Sequence, residues 1–457
     1  MALRSLGAHL SRTAILFGLG TSLAPAQDPS GAPKAALDRA TADLVTTTAN
    51  LPAAGPGAGA LGAQSGPMRL LDLSLDIMAA AGASTERDGV LADLKGGGHD
   101  PKKRAFTLQQ AELSLAGAID PWLVGKAHIV TWLDAEQGES VVELEEAYLQ
   151  TQQLPAGLQV KAGSYLTEFG RINPTHPHAW DWQDQPVVNT RFFGPDGMRG
   201  PGARVSWLVP TEQYAELTFG AQNANGETMP SFLANEQVYD EHPVAGRLFT
   251  AREVRSLGDL VYTARAATAF DFGETTSLAL GASAVFGPNA TAGDASTVIY
   301  GCDFVLRWRP LRSERGYPFL KLQGEFLARD FEAGEQIDDA VPSSPVTVAG
   351  ATLHDQGACV LALVGFATGW AAGVRVDWAT GSGRGYDAAA QVLVDRDVDP
   401  FRADRIRVSP MLAWQPSEFS RIRLQYDYDD SDHLQDPVHS VWLGFEVLIG
   451  THPPHAY

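Results

Sequence analysis

"SRIRLQYDYD" occupies residues 420–429 and alternates without a break. Arg421, Arg423, Gln425, Asp427 and Asp429 share one parity; Ile422, Leu424, Tyr426 and Tyr428 share the other. Successive side chains of a β-strand point to opposite faces. The stretch therefore predicts a strand with one ionic face and one apolar face. The pattern recurs along most of the chain. In "YGCDFVLRWR" (300–309), Asp303, Arg307 and Arg309 oppose Tyr300, Phe304, Leu306 and Trp308. In "GVRVDW" (373–378), Arg375 and Asp377 oppose Val374, Val376 and Trp378. In "RIRVSPMLAWQ" (405–415), Arg405 and Arg407 oppose Ile406, Val408, Leu412 and Trp414. The segment 140–151 is irregular, because Glu143, Glu145 and Glu146 break the parity.

Sixteen strands are expected, the first at 68–78, the twelfth at 356–366 and the last at 437–449. The connections alternate as well. Short ones such as "IDP", "QLPAG", "VPTE" and "QPSE" follow the even strands. Long polar ones, at 79–103, 168–200, 224–258, 331–355 and 380–403, follow odd strands. Loops beyond about a dozen residues are uncommon in compact domains. A soluble sandwich explains the alternation but not the number of strands or the one-sided long loops. A transmembrane barrel explains both, since a sheet in lipid must close to pair its backbone groups. The expected fold is an all-β, transmembrane antiparallel barrel of about sixteen strands, with an inward-folded third extracellular loop.

The apolar parity would then face lipid and the charged parity would line the lumen. Arg204, Asp303, Arg307, Lys321, Glu325, Arg329, Arg375, Asp377, Arg405, Arg407, Arg421, Arg423 and Asp427 are the expected lining residues. Ionised groups need water or partners, and a barrel of about sixteen strands is wide enough for an aqueous channel. Trp207, Trp308 and Trp414 fall on the apolar face toward the short-turn rim; Trp378, Tyr426 and Tyr428 fall toward the other rim, as interfacial girdles require.

Composition narrows the functions. The net charge of −20 over 457 residues argues against nucleic acid as a partner. No uncharged apolar run reaches the roughly 18 residues of a membrane helix. Residues 1–26 read as a signal peptide: Arg4 and Arg12, then "TAILFGLGTSLA", then the small-residue site "APA". Residues 27–67 read as a flexible periplasmic linker, 68–450 as the barrel and 451–457 as a C-terminal tail. Export followed by outer-membrane insertion is the expected route, with outer-membrane lipid as the surrounding partner. Cys302 and Cys359 are too few for a disulfide scaffold and fall on non-neighbouring strands.

The most informative loop is the third on the long-loop side, 168–200. Folded inward it would constrict the pore with Glu168, Arg171, His176, His178, Asp181, Asp184, Arg191 and Arg199. Counting Asp196, three arginines face four acids there, so no charge selectivity is expected. Imidazole with carboxylate suits zinc or copper, which makes His176 and His178 the metal candidates. Their spacing matches no finger or zincin pattern, and Pro-stiffened loop histidines are the preferred account; no metal or cofactor is expected. No G-x-S-x-G, H-E-x-x-H or P-loop motif is present, so an enzyme is not expected.

Two stretches, "VKAGSYLTEFGRINP" (160–174) and "RFFGPDGMRGPGARVSW" (191–207), resemble the porin family that includes the phosphate-selective porins. Gly163, Phe169 and Gly170 carry the first part; Gly200, Gly202 and Arg204 carry the second. The resemblance implies sixteen strands, a homotrimer and diffusive uptake of small solutes. Anion-specific members line the pore with rows of Arg and Lys, whereas this third loop is nearly charge-balanced. The whole chain is also similar to sequences labelled zinc-regulated, TonB-dependent outer-membrane receptors, which implies uptake of a metal ion or its chelate. A gated receptor needs a plug ahead of a barrel of about 22 strands; residues 27–67 read only as linker. The expected function is a porin passing small hydrophilic solutes or ions by diffusion. The alternatives are a metal receptor and a structural barrel closed by its loops.

Overall fold

The computed structural model describes residues 71–134 and 138–450. The expected signal peptide, the linker, residues 68–70 and the tail at 451–457 lie outside them. Sixteen strands form one closed barrel. They are β1 (Asp72–Ser84), β2 (Ala105–Ala118), β3 (Leu123–Leu133), β4 (Ser140–Thr151), β5 (Leu158–Leu166) and β6 (Arg199–Leu208). Next come β7 (Ala215–Asn223), β8 (Leu260–Phe272), β9 (Thr276–Pro288), β10 (Ser296–Trp308) and β11 (Phe319–Ala333). The last five are β12 (Ala351–Ala367), β13 (Trp370–Ser382), β14 (Arg405–Ser417), β15 (Ser420–Ser431) and β16 (Val438–Gly450).

Each strand pairs antiparallel with the next, and β16 pairs back onto β1 from Ser74↔Gly450 to Ser84↔Ser440. Closure leaves no edge to pair with another chain. A strand of 13 residues such as β16, at about 3.4 Å rise and about 40° tilt, reaches roughly 34 Å along the axis. That spans a hydrocarbon core of about 30 Å. Among the described residues no helix is long and apolar enough to cross a membrane; the strands do so.

The two faces of each strand invert the order of a soluble sheet. Along β16, Val441, Leu443, Phe445, Val447 and Ile449 are exposed, while Ser440, Trp442 and Glu446 are buried. Trp207, Trp308, Trp378 and Trp414 are outward, and Trp414 stacks on Trp370 with ring centroids 5.7 Å apart. A continuous exposed apolar surface of this extent marks contact with lipid.

The tight turns are locally encoded. In the β2–β3 turn the Asp120 carboxylate accepts from the amides of Trp122 and Leu123, at 2.7 and 2.9 Å, the Asx device that replaces a backbone turn. The long connections lie at the other end. They carry three short helices, α1 (Asp88–Leu94), α2 (Val187–Phe193) and α3 (Glu236–Glu241). They also carry two small hairpins, Gln336–Asp338 with Val346–Val348 and Gly385–Asp387 with Val392–Val394.

Three features differ from a reading of the sequence alone. β1 runs on to Ser84, through "AAAGAS", which reads as loop by composition. Small residues are required there, because a Cβ on Gly82 would come within 2.0 Å of the Trp442 ring. β12 begins five residues early, extended by pairing with the upper part of β11 as far as Ala333↔Ala351. The irregular parity of β4 is a bulge: His128 pairs with Glu146 and Ile129 with Leu144, leaving Glu145 unpaired. A bulge places two adjacent side chains on one face, and Glu145 and Glu146 are both buried inward. Cys302 and Cys359 are both free, on β10 and β12.

Candidate functional site

The candidate site is the barrel interior together with the β5–β6 connection, residues 167–198. The connection opens at Phe169-Gly170. Gly170 has φ of +62°, and a Cβ there would lie 2.1 Å from Glu325 Oε1. Only glycine tolerates both conditions. Glu325 Oε2 accepts from the Arg171 and Ile172 amides, each at 3.2 Å, and Arg171 pairs with Asp303 at 2.9 Å. The start of the connection is thus tied to β10 and β11.

Helix α2 anchors it again by apolar contact. Val188, Phe192 and Phe193 join Phe169 in a buried cluster with Val261, Val285, Ile299 and Leu327, inward residues of β8–β11. On the same helix Arg191 donates to the Ala403 carbonyl at 2.8 Å. The middle of the connection reaches strands from elsewhere in the barrel. The Trp182 indole N–H donates to the Ser409 carbonyl on β14 at 2.8 Å. Arg423 on β15 donates to the carbonyls of Trp180 and Trp182, both at 3.0 Å. Lys321 on β11 binds Asp181 at 2.8 Å.

Asp184 is the centre of this contact. It pairs with Lys95 (2.7 Å), Arg375 (3.0 Å) and Arg407 (2.7 Å), and it accepts from Gln425 (2.7 Å). Lys95 follows α1 and also binds Asp427. Burial alone would raise the Asp184 pKa; Arg375, Lys95 and Arg407 outweigh it and hold the carboxyl well below the usual carboxylate range. Asp181 is lowered in the same sense, with Lys321 opposing its burial.

The strand residues singled out by parity stand on the inner wall, but most are not in open water. Arg204, Arg375, Arg407 and Arg423 are among the largest fully buried side chains. Arg204 and Lys161 share Glu168, at 3.0 and 2.9 Å. Asp303 takes Arg265 as well as Arg171. Arg329 and Arg402 share Asp355, at 2.7 and 2.9 Å. Arg375 binds Asp377; Arg405 and Arg407 converge on Asp429; Arg421 and Arg423 converge on Glu446. Arg307 is only partly buried, and Arg199 pairs with Glu143 and Glu145. Burying charge is costly unless it is paired, so each of these clusters carries both signs. Lys95, Arg265, Asp355 and Arg402 were not anticipated. The parity of β15 and β16 already put Asp429 and Glu446 on the inner face; nothing local indicated which cation each would meet.

The second meeting point joins the same connection to β2, β3 and β4. His176 directs Nδ1 to Glu145 (2.8 Å) and Nε2 to Glu146 (2.9 Å). His178 Nδ1 donates to Glu112 Oε2 at 3.0 Å, and His128 Nδ1 lies 2.9 Å from Glu112 Oε1. The His128 and His176 rings are 4.4 Å apart by centroid. Burial would lower the pKa of His178, but the Glu112 carboxylate more than reverses this and pushes it up to about 9. The sequence pointed to His176 and His178 alone. The β4 bulge was visible as broken parity, whereas Glu112 and His128 gave no signal.

Toward the short-turn end a cavity is lined by Asp181, Tyr317, Phe319, Leu363, Met411 and Arg421 among others.

No family model matches the chain. A protein of uncharacterised function from Aquifex aeolicus (strain VF5) is 29% identical over 384 residues, covering 79% of this chain and 73% of that one. Among solved structures, the outer-membrane channel DcaP of Acinetobacter baumannii aligns with a TM-score of 0.51 at 12% identity, over 83% of this chain and 97% of that one. The anion-selective porin from Comamonas acidovorans gives 0.49 at 8% identity over 83% and 99%. OprB of Pseudomonas putida gives 0.49 at 12% over 83% and 94%. The DcaP likeness shows the fold, a closed porin-type barrel. That fold, with its outward apolar band, places the chain in a bacterial outer membrane.

Proposed function

We propose that the protein is an outer-membrane porin passing small hydrophilic solutes or ions by diffusion through a bore narrowed by its third long loop. One observation carries this reading: sixteen strands close around an interior of paired ions while the apolar parity faces outward. A purely structural barrel needs no such interior, since a packed apolar core would be more stable than paired buried charge. The charges inside come as mixed pairs, so sharp discrimination between anions and cations is not part of the proposal, and neither is phosphate specificity. The constriction is assigned to Glu168, Arg171, His176, His178, Asp181, Asp184, Arg191 and Arg199. Assembly as a homotrimer is proposed from the family resemblance and is checked by the mass of the detergent-solubilised protein.

Planar-bilayer recording of the refolded protein tests the reading. Discrete conductance steps, small for a sixteen-stranded barrel and enlarged by releasing the loop with Asp184→Ala, are expected. Folded protein that inserts but carries no current above bare lipid would sink the reading in favour of a closed structural barrel. A second reading, uptake of a metal ion or chelate, is favoured by the histidine–glutamate cluster at β2–β4. Growth under zinc limitation, with and without the gene, separates the two.

A further inference from the structure

We infer that Glu112, His128 and His176 form a binding site for a divalent cation of the zinc class, which links the third long loop to the inner wall of the barrel. The observation is geometric. One donor atom from each of the three residues lies within 4.8 Å of the other two. Zinc bonds to imidazole nitrogen and carboxylate oxygen are about 2.0–2.2 Å long. Tetrahedral donors around such an ion stand roughly 3.4 Å apart, so shifts of an ångström or so close the site. Two imidazoles and a carboxylate form a borderline donor set, which selects zinc or copper over magnesium or calcium.

Three further features suit an ion rather than a chance cluster. Glu112 is central: its two oxygens face His128 and His178, and its Oε2 stands 3.6 Å from His176 Nδ1. The surroundings hold ligands in place as metal sites require. Ser114 Oγ donates to Glu112 Oε1 at 2.8 Å, and Glu145 and Glu146 stand against the two nitrogens of His176, so that one carboxylate stays as the orienting partner while the other gives up its nitrogen to the ion. Last, Asp76 stands directly across from Glu112 in the β1–β2 register, 4% exposed, with an Oδ1 that makes no hydrogen bond. Gln110 Oε1, beside it, is also buried without a partner. Buried polar atoms without partners are rare in native interiors, and a cation with its waters would satisfy them. The β4 bulge has a purpose in this arrangement, since it brings a second glutamate to the same inner face.

Two of the three ligands are on strands and the third is on the loop. Binding would therefore fix the loop, a consequence that rests on the porin reading, whereas the binding itself does not. The test uses full-length protein in detergent with zinc chloride, titrated against a chromophoric chelator. One zinc per chain is expected. Glu112→Gln, His128→Gln and His176→Gln should each weaken it by at least the roughly 10–100-fold that loss of an outer-shell partner costs. His354→Gln, exposed and outside the cluster, should bind as the parent does. Equal zinc affinity in the parent and the three cluster variants would overturn the site. Should a variant fail to fold, cobalt in the parent protein decides: intense tetrahedral visible bands support the site, and the weak spectrum of hydrated cobalt overturns it. Bilayer recordings with zinc and with chelator separate the two claims. An unchanged current alongside tight binding would leave the site and remove its hold on the loop.

Discussion

Two of the polar places at which the third long loop meets the barrel are built from different chemistry. At β13–β15 its Asp184 is held by Arg375 and Arg407, with Lys95 from the β1–β2 connection beside them. At β2–β4 its His176 and His178 are held by Glu112, Glu145 and Glu146. The first contact sets an acid on the loop against fixed cations on the wall. The second sets weak bases on the loop against acids on the wall. Reversing the polarity reverses what can undo each contact. Acid releases the first by protonating Asp184; base releases the second by deprotonating the imidazoles. A metal ion can replace protons only at the second.

The largest expected effect comes from Asp184→Ala. It leaves three buried cations short of a shared partner, and breaking a buried pair in this way costs about 3–5 kcal/mol. Denaturant unfolding in detergent should show that loss, and single-channel conductance should rise as the loop comes free. A change below about 1 kcal/mol would mean that water already screens the cations. Glu112→Gln should cost less, about 1.5–3 kcal/mol, as expected for a charge-assisted hydrogen bond replaced by an amide of similar shape. If Glu112→Gln proved the more damaging, the two contacts would rank in the opposite order.

Next comes pH. The His178 pKa is raised to about 9 by Glu112 with Asp76 nearby, against burial and His176. Its stabilisation is fully present below the ordinary 6.5 and fades as pH rises through about 9. Asp184 is depressed, so its contribution is fully present above 3.8 and is lost only as pH falls well below that value. Between pH 7 and 10 the melting temperature should drop, and Glu112→Gln should flatten that drop. Between pH 7 and 5 the Asp184 contact should contribute no change. The smallest effect is at Arg255 and Glu253, a pair 76% and 75% exposed; removing either side chain should leave melting and conductance unchanged.

Much of the barrel was legible because the strand period is two and lipid leaves no choice of outer face. The stretch at 420–429 sorts arginine from leucine with no knowledge of its neighbours, and β15 spans Ser420–Ser431. Legibility failed where local pattern and long-range packing diverge. "AAAGAS" looked like loop, yet it is strand, because Trp442 fills the space its small side chains leave. The three glutamates of β4 looked like noise; one extra residue in the ladder explains them.

The sequence by itself determined a closed membrane barrel, its inner and outer faces and the loop most worth attention, because each follows from parity and spacing along one strand at a time. Which charge meets which was decided only in three dimensions. Asp184 and Arg407 are 223 residues apart, and His176 and Glu145 are 31 apart. Parity tells a side chain which way to point; only the closed barrel and the contacts of its long connections determine what it finds there.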